Sequence, residues 1–379
     1  MDFDLSEEQR LLQDSVNSLI GKEYPFEKRS EYAAQERGWS EAIWGRFAEQ
    51  GLLALPFEEK DGGIGGTPVE TMIVMEGLGR ALVLEPYLST VVICGNILKL
   101  GASEKQRTRY LPPLMRGEEV FSFAFQETNS RYDFAAIETS AKRCGDGWSI
   151  HGAKSTVLHG DTADHFLVTA RTDARPEAVA IFVVPKDAAR VTIERTLTQD
   201  GIRAADVSFD QVSVPADAII GDTQGALPLI EQVADYARAA LCAEAVGAMD
   251  ESIKMTVAYM KARKQFGVPI GTFQALQHRA ADMYVVYEQA RSMAIYATMA
   301  CDMADSEARS IAIGSAKAQI SRSARFIGQQ SIQIHGGIGM TQEYKVGHYF
   351  KRLTMIESAF GDADFHIRRV SQRGGVREN

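Results

Sequence analysis

The spacing of the apolar residues changes twice along the chain, and this change constrains the fold more than any single motif. A first set recurs at the spacing of one helical face: Leu11, Leu12, Val16, Leu19 and Ile20. Over about residues 118–222 the pattern becomes short alternating runs, such as "HFLVTART" and "ADVSFDQVSV", cut by Gly, Asp and Pro. Helical spacing then returns and holds to the end. The sequence therefore predicts an α+β fold with N-terminal helices over 1–117, an antiparallel sheet or barrel over 118–222 and a helical bundle over 223–379.

Capping boxes mark two helix starts in the first part. Ser6 stands three residues before Gln9, and Ser103 stands three residues before Gln106. The stretch "DGGIGG" between them is predicted to be a loop. In the last part, the helical period predicts long helices over 224–262, 272–302, 306–335 and 344–373.

Charge and cysteine content exclude several classes of protein. Lys and Arg number 41 against 50 Asp and Glu, a net charge of -9, which excludes a general nucleic-acid binder because that would need a basic face. The cysteines lie far apart without a CxxC pair, and we expect buried thiols in a reducing compartment: Cys94, Cys144, Cys242 and Cys301. The N-terminus is acidic, unlike a signal peptide, and no apolar run reaches about 18 residues. We therefore expect a cytoplasmic protein without a membrane span or a metal site.

Two glycine-containing stretches invite a ligand-binding interpretation. "HGGIGM" (335–340) is rich in glycine, but a Rossmann loop should follow a strand, and the preceding "SARFIGQQSIQI" has helical spacing. A plain turn between helices is the alternative. In "ARKQFGVPIGTFQALQHRAADM", Arg263, Gln265 and Gln274 could hold a pyrophosphate, whereas a surface hairpin between helices would need no ligand.

Together these stretches resemble the acyl-CoA dehydrogenases, over almost the whole chain. The resemblance is carried, in order, by "GLLALPFEEKDGGIGG", "FAFQETNSRYD", "GIRAADVSFDQVSVPADAIIG", "RKQFGVPIGTFQALQHRAADM" and "QIHGGIGMTQEYKVGHYFKR". The texture is most similar to small-subunit proteins of the pimeloyl-CoA dehydrogenase type, which are often encoded beside a larger paralogue. The resemblance implies N-terminal helices, a middle β-barrel and a C-terminal four-helix bundle, in agreement with the apolar pattern.

The resemblance also implies FAD, held between the barrel and the bundle and reached in part by a neighbouring subunit. Carried over by position, these residues would serve the pyrophosphate and adenine: Arg263, Gln265, Phe266 and Gln274. Others would close over the diphosphate from the partner subunit: Gln333, Gly336 and Gly337. Gln126 begins the strand expected to face the flavin. The implied partners are an acyl-CoA substrate, an electron-transfer flavoprotein, and either a homotetramer or an α2β2 assembly with a paralogue.

The implied reaction is the α,β-dehydrogenation of an acyl-CoA thioester. A base takes the α-proton, the flavin accepts the β-hydride, and hydrogen bonds to the thioester carbonyl stabilise the developing charge. The flavin strand departs from the family pattern T-E-P-G-x-G-S-D, because "QETNSRYD" has Arg131 and Tyr132 where small residues admit ligand. In "TVLHG", Thr156 stands for a flavin-shielding Trp and Leu158 for a flavin-bonding Thr. The flavin site or the acyl channel is therefore expected to be altered.

The expected base is missing from both positions that the resemblance provides. One position falls on Phe360 and the other on Ala237, just before Arg238, which is predicted to contact substrate. Glu244 lies two helical turns beyond Ala237 in an apolar run, where a buried carboxylate would have a raised pKa suited to a base, or would be a salt-bridged core residue.

Other polar residues near the lost motif are weaker candidates. Asp362 and Asp364 lie nearest to it, Glu357 is expected to be an ordinary helix residue, and His366 is expected on a solvated face. Two main hypotheses follow, and a hydratase or oxygenase relative with the same flavin fold is a third. Either the chain is an FAD-dependent acyl-CoA dehydrogenase with an atypical base such as Glu244, or it is a subunit without a complete site whose paralogue supplies the base or flavin contacts. The acyl chain of the substrate stays open.

Overall fold

Helices, then strands, then helices follow one another in the order that the apolar spacing predicts. The computed structural model describes residues 5–173, 175 and 177–373. The α-helices are α1 (Glu7–Glu23), α2 (Phe26–Ala33), α3 (Glu41–Glu49), α4 (Pro68–Ala81), α5 (Asn96–Gly101), α6 (Glu104–Met115), α7 (Leu227–Ala262), α8 (Gln274–Ala300), α9 (Ser306–His335), α10 (Lys345–Ser358) and α11 (Ala363–Gln372). The strands are β1 (Phe121–Ala124), β2 (Ser140–Cys144), β3 (Gly147–Leu158), β4 (His165–Arg171), β5 (Val179–Pro185), β6 (Val191–Leu197), β7 (Arg203–Pro215), β8 (Ile219–Ile220), β9 (Lys264–Gln265) and β10 (Val268–Pro269). The predicted α+β class is therefore confirmed.

The chain divides into two units. The helical unit comprises Met1–Ser30, Pro68–Val83 and Arg238–Asn379, and the sheet unit comprises Glu31–Thr67 and Leu84–Ala237. This division is by spatial clustering of residues, so it does not follow the three consecutive parts predicted from the sequence, and those boundaries stay a prediction.

Both predicted capping boxes are formed. At the start of α1, Ser6 Oγ accepts the Gln9 backbone N–H at 3.2 Å, and Gln9 Oε1 accepts the Ser6 backbone N–H at 3.0 Å. At the start of α6, Ser103 Oγ accepts the Gln106 N–H at 3.4 Å, and Gln106 Oε1 accepts the Ser103 N–H at 2.9 Å. Each box satisfies two backbone donors that the first turn of a helix leaves without partners. These local signals therefore place both helix starts correctly.

The sheet unit is built on eight strands, hydrogen-bonded in the order β6-β7-β3-β2-β4-β5-β8, with β1 parallel to β4. Its core is aromatic at the centre, where Trp148 meets Phe182 and Phe166 meets Phe209, with ring centroids 5.3 and 6.3 Å apart. The pairing of β3 with β7 shifts register between Lys154 and Val157. A bulge of this kind re-aims the backbone and is common beside binding sites.

The helical unit brings two helices unusually close at two glycines. A Cβ at Gly79 of α4 would overlap the carbonyl of Glu244 on α7, and a Cβ at Gly247 of α7 would overlap the carbonyl of Glu76 on α4. Only glycine permits backbones to approach in this way. The reciprocal contact therefore fixes α4 against the part of α7 that carries Glu244.

The last predicted helix, 344–373, is wrong as one element. The structure ends α10 at Ser358 and begins α11 at Ala363. Between them Phe360 has φ 54° and Gly361 has φ 114°, so the chain leaves the right-handed helical region. Asp362 then caps α11, with Oδ1 accepting the Phe365 N–H at 2.7 Å.

Two further expectations meet different outcomes. Cys94, Cys242 and Cys301 are buried as expected, but Cys144 is exposed because it lies at the turn between β2 and β3. None of the helices in the described chain combines the length and the apolar composition that a membrane span requires.

The close approach of α4 and α7 predicts the effect of a single methyl group. Gly247→Ala is expected to destabilise the protein by about 1–3 kcal/mol, because the new Cβ overlaps a backbone atom that cannot rotate away. Gly21→Ala in α1 is the matched control: no atom lies within 4 Å of its Cβ position, so a gain of roughly 0.5–1 kcal/mol is expected. Urea unfolding measures both, and a neutral Gly247→Ala would contradict the packing.

Candidate active site

In the sheet unit, a buried ion pair lies beside the stretch 126–133, which was expected to face the flavin. Lys154 Nζ donates to Glu127 Oε1 at 2.7 Å and to Thr169 Oγ1 at 3.0 Å. The Glu127 carboxylate also accepts the backbone N–H groups of Glu138 and Thr139 at 2.7 and 3.1 Å. The pair therefore joins β3 to both ends of the loop that contains "TNSRYD".

Burial and pairing act in opposite directions on the pKa of each member of this pair. Burial lowers the pKa of Lys154 to about 8, although the Glu127 carboxylate opposes the shift. Burial acts to raise the pKa of Glu127, but Lys154 and the backbone donors outweigh it and hold the pKa below its usual range. Both groups are therefore charged near neutral pH, as a paired buried charge should be.

The two stretches that depart from the family pattern, "QETNSRYD" and "TVLHG", lie side by side. The Ser155 N–H donates to Gln126 O at 2.8 Å. The next residue, Thr156, is exposed at the bulge with φ 52°, and its N–H donates to Asp206 Oδ1 at 2.8 Å. Arg131 is also exposed, with φ 44°. The structure thus brings together Gln126, which was predicted to bind cofactor, and the residue that replaces the shielding Trp.

In the helical unit, the predicted diphosphate residues lie at two neighbouring helix ends. The β9–β10 hairpin follows α7, and Phe266 at its tip is 92% exposed. Gly336 and Gly337 follow α9 in a short 3₁₀ turn, both exposed, with no atom within 4 Å of their Cβ positions. The rings of Tyr259 and His335, whose centroids are 4.5 Å apart, join the two ends.

These residues fit the diphosphate and adenine end of FAD. The side chains of Arg263, Gln265, Gln274 and Gln333 are exposed. A guanidinium and exposed backbone N–H groups are the donors that a diphosphate requires. The glycine turn is a turn between helices, as its spacing indicated, and not a Rossmann loop after a strand. The cofactor roles of the individual residues stay predictions.

Phe360, the position expected for the base, lies in a turn with positive φ that a hydrogen bond from Arg238 stabilises. Phe360 is half-buried at φ 54°, and its carbonyl accepts a hydrogen bond from Arg238 Nε at 3.0 Å. Arg238 is itself buried, and so is Ala237 before it. Arg238 therefore holds the turn, and its predicted contact with substrate stays a prediction.

A second buried cation holds the same turn. Lys317 of α9 is fully buried, and its Nζ donates to the carbonyls of Ile356, Glu357 and Gly361 at 2.8, 3.0 and 3.1 Å. Burial lowers the pKa of Lys317 to about 8, opposed by the nearby Cys242 thiol. The three carbonyls surround the end of α10, where helices leave backbone acceptors without partners.

His366 is not on a solvated face, contrary to the sequence-based expectation. It is 1% exposed and packs against Gly314 and Gly361. Burial, with the positive charges of Arg238 and Lys317 beside it, lowers the pKa of His366 to about 2. A neutral imidazole with so low a pKa is too weak to take an α-proton.

Three of the four candidate carboxylates, Glu244, Glu357 and Asp362, already have hydrogen-bond or ion-pair partners. Glu244 is held by two Arg352 nitrogens, Nε to Oε1 at 2.5 Å and Nη2 to Oε2 at 2.7 Å, with the Glu244 and Arg352 side chains 6% and 12% exposed. Glu357 is buried and pairs with Arg325, so it is more than an ordinary helix residue. Asp364 is exposed, and Asp362 is occupied as the cap of α11.

Comparison with known proteins assigns the family. Three models match the chain in order: the acyl-CoA dehydrogenase N-terminal domain over residues 6–118, the middle domain over 122–212 and the C-terminal domain over 225–375. The chain belongs to the acyl-CoA dehydrogenase family. Members of this family are flavoprotein oxidoreductases that act on CH–CH bonds, so the predicted enzyme class and cofactor are confirmed at the level of the family.

Individual relatives match this acyl-CoA dehydrogenase chain from end to end. "Probable acyl-CoA dehydrogenase YngJ" of Bacillus subtilis is 29% identical over 98% of each chain. "Probable acyl-CoA dehydrogenase FadE25" of Mycobacterium tuberculosis is 30% identical over 92% of this chain and 90% of its own. A solved structure titled "Tcur3481-Tcur3483 steroid ACAD", in a variant form, superposes with a TM-score of 0.87 at 28% identity, covering 97% of both chains.

Sequence reasoning missed the residues that restrain the site. Lys154 and Arg352 have no local signal, because a lysine or arginine on a helix or strand ordinarily faces water. A weak signal exists at Lys317, where "IAIGSAKAQI" places a cation inside an otherwise small and apolar stretch. Arg352 was identifiable only through its partner, since a carboxylate in the apolar run around Glu244 requires a cation.

The depressed pKa of His366 predicts acid sensitivity. In the unfolded chain this imidazole takes a proton near pH 6.5, whereas in the folded protein it does so only near pH 2. Stability should therefore be lost as the pH falls below 6.5, by about 1.4 kcal/mol per pH unit. In urea unfolding between pH 7 and pH 5, His366→Gln should lose about 2 kcal/mol less of its free energy of unfolding than the parent protein.

Replacing the exposed His278 by Gln is the control for this measurement. It should leave the pH dependence of unfolding unchanged. An equal flattening in both variants would show that His366 does not carry the effect.

Proposed function

We propose that this chain is a subunit of an FAD-dependent acyl-CoA dehydrogenase assembly in which another chain supplies the base. One observation carries the proposal: Phe360 and Ala237 occupy both expected base positions, and the buried carboxylate of Glu244 is held by two nitrogens of Arg352. A carboxylate in such a pair is poorly placed to move toward a substrate. The role of a subunit that completes a site with a paralogue follows from this.

The reaction removes two hydrogens from neighbouring carbons of an acyl-CoA thioester. The α-carbon loses a proton to the base, the β-carbon loses a hydride, and a carbon–carbon double bond forms between them. Bound FAD would supply the acceptor for that hydride, and an electron-transfer flavoprotein would then take the electrons. This chain is proposed to contribute binding and positioning, since Phe360 carries no charge, Asp362 caps α11 and Glu357 pairs with Arg325.

Residues of this chain are proposed to hold FAD at its diphosphate and adenine end. Arg263, Gln265 and Gln274 are exposed at the hairpin and the start of α8, and Gly336 and Gly337 leave open space beside their backbone. Phe266 is exposed at the hairpin tip, where an aromatic face can stack on an adenine. Gln333, on the last turn of α9, completes these proposed contacts. In the sheet unit, Gln126, beside the bulge of β3, is proposed to contact the flavin.

An assembly with other subunits is supported by exposed apolar side chains. Several lie on the hairpin and along α8: Phe266, Val268, Phe273, Tyr284, Val285, Tyr296 and Met299. A large exposed apolar surface marks a protein contact in most soluble proteins. We propose an α2β2 assembly with a paralogue in the cytoplasm, and the two-protein title of the steroid relative supports it. A bulky acyl group, such as a steroid side chain, suits the small Thr156 in place of a Trp.

Glu244 as an atypical base is the second candidate. It is buried, lies on α7 two turns beyond Ala237, and is the acidic residue within a long apolar run. This alternative requires Arg352 to release the carboxylate during turnover. A homotetramer with a complete site in each chain would then replace the α2β2 assembly.

Restoring the missing base tests the proposal. Phe360→Glu is expected to raise the dehydrogenation rate of the purified chain loaded with FAD, because a positioned base contributes about 10²–10⁴-fold. The readout is bleaching of the flavin absorbance by octanoyl-CoA. Phe360→Gln is the control and should stay as slow as the parent protein. A parent protein that bleaches as fast as Phe360→Glu would overturn the proposal.

The pairing of Glu244 predicts a separation of stability from activity. Glu244→Gln should lower the free energy of unfolding by up to about 3–5 kcal/mol, since it leaves Arg352 buried beside a neutral amide. The turnover number of the folded assembly should stay within about twofold, because the carboxylate takes no part in the chemistry. A loss of about 10²–10⁴-fold in turnover would instead identify Glu244 as the base.

A further inference from the structure

Lys317 donates hydrogen bonds to three backbone carbonyls that lie outside its own helix, α9. Its Nζ donates to Ile356 O, Glu357 O and Gly361 O, and also to Ser321 Oγ at 3.2 Å. An ammonium group has three hydrogens, so four acceptors within 3.2 Å share them. Burying such a group is costly, and its retention requires that each proton be used.

The turn that Lys317 holds would not keep its conformation unaided. Phe360 has φ 54°, a left-handed conformation that is unfavourable for a bulky residue. Gly361 has φ 114°, and a Cβ there would overlap His366 Nε2 and the Phe365 ring. Strain of this kind persists only where the surroundings determine the backbone.

Two cations from different helices determine it. Lys317 of α9 binds the Gly361 carbonyl at 3.1 Å, and Arg238 of α7 binds the preceding carbonyl, that of Phe360, at 3.0 Å. These two donors therefore restrain the carbonyl groups on both sides of the Gly361 Cα. Lys317 additionally ties the turn to the last carbonyls of α10, where a positive charge is favoured by the helix dipole.

We propose that Lys317 is a positioning residue, which holds the Phe360–Gly361 turn in the place where this chain contributes one wall of the acyl-CoA site. This inference rests on the proposed function, because it assumes that the turn faces the substrate. The lysine itself touches no reacting atom. It acts through the turn, and the neutral, rigid turn then serves a substrate whose proton is removed by a group of another chain.

Hydrogen exchange of the full chain tests directly whether Lys317 stabilises the Phe360–Gly361 turn. In Lys317→Met, which keeps the length of the side chain, amides of residues 356–366 should exchange at least about 10-fold faster, the equivalent of losing one charged hydrogen bond. Amides elsewhere in the helical unit should change less than about twofold on the same scale. Lys345→Met is the matched control, because Lys345 also bonds a helix-end carbonyl, that of Arg80 at 3.4 Å, but lies away from the turn.

Substrate affinity tests the positioning role. In the assembly with the paralogue, Lys317→Met should raise the Kd for octanoyl-CoA, measured by titration calorimetry, about 10-fold. Lys345→Met should leave it unchanged. If Lys317→Met does not fold, Lys317→Gln, which keeps one donor to the turn, replaces it, with the same local exchange expected at a smaller size.

The outcomes separate the inference from the proposed function. Unchanged exchange at 356–366 would overturn the hold, even in a protein that binds octanoyl-CoA. Faster local exchange with an unchanged Kd would overturn the positioning role. Faster local exchange with no octanoyl-CoA binding by the parent assembly would overturn the proposed function, and the positioning role with it.

Discussion

A carboxylate cannot be buried alone, and the pairing of Glu244 with Arg352 is the constraint on which the chemistry of this chain depends. The pair lies between α7 and α10, both of its partners are largely removed from water, and both carboxylate oxygens accept a hydrogen bond. Removing one partner of such a pair costs far more than the pair itself contributes. Pairing is therefore sufficient to explain Glu244 as a buried core residue, and a role as the base would require Arg352 to release it.

The turn between α10 and α11 also depends on buried charges that have partners, but here the charges are positive. Here the charges are cations, Lys317 and Arg238, and their partners are backbone carbonyls that the end of α10 leaves without donors. At this turn the chain presents Phe360, and the surrounding charges hold the backbone.

Periodicity and local motifs predicted much of the fold. The α–β–α order follows from spacing, and the boxes at Ser6 and Ser103 placed two helix starts, because their signals lie within four residues of sequence. The predicted single helix over 344–373 failed, since the break depends on a positive φ at Phe360, a residue type that gives no warning of it. His366 was misplaced for a related reason: the break turns α11 so that this imidazole packs against Gly314 of α9.

The candidate site was predictable only where a motif marks it. The hairpin after α7 and the glycine turn after α9 carry recognisable stretches, and both lie exposed in the structure. The buried cations carry none, because Lys317 and Glu357 lie 40 residues apart and Glu244 and Arg352 lie 108 apart. Such pairs are set by tertiary packing, and no pattern in one sequence encodes them.

Exchange of the α-hydrogen of octanoyl-CoA in D₂O, followed by NMR, tests most directly whether this chain contains a base. The chain alone, loaded with FAD, should leave the α-hydrogen in place, and the assembly with the paralogue should exchange it. Rapid exchange by the chain alone, abolished by Glu244→Gln, would contradict the central claim.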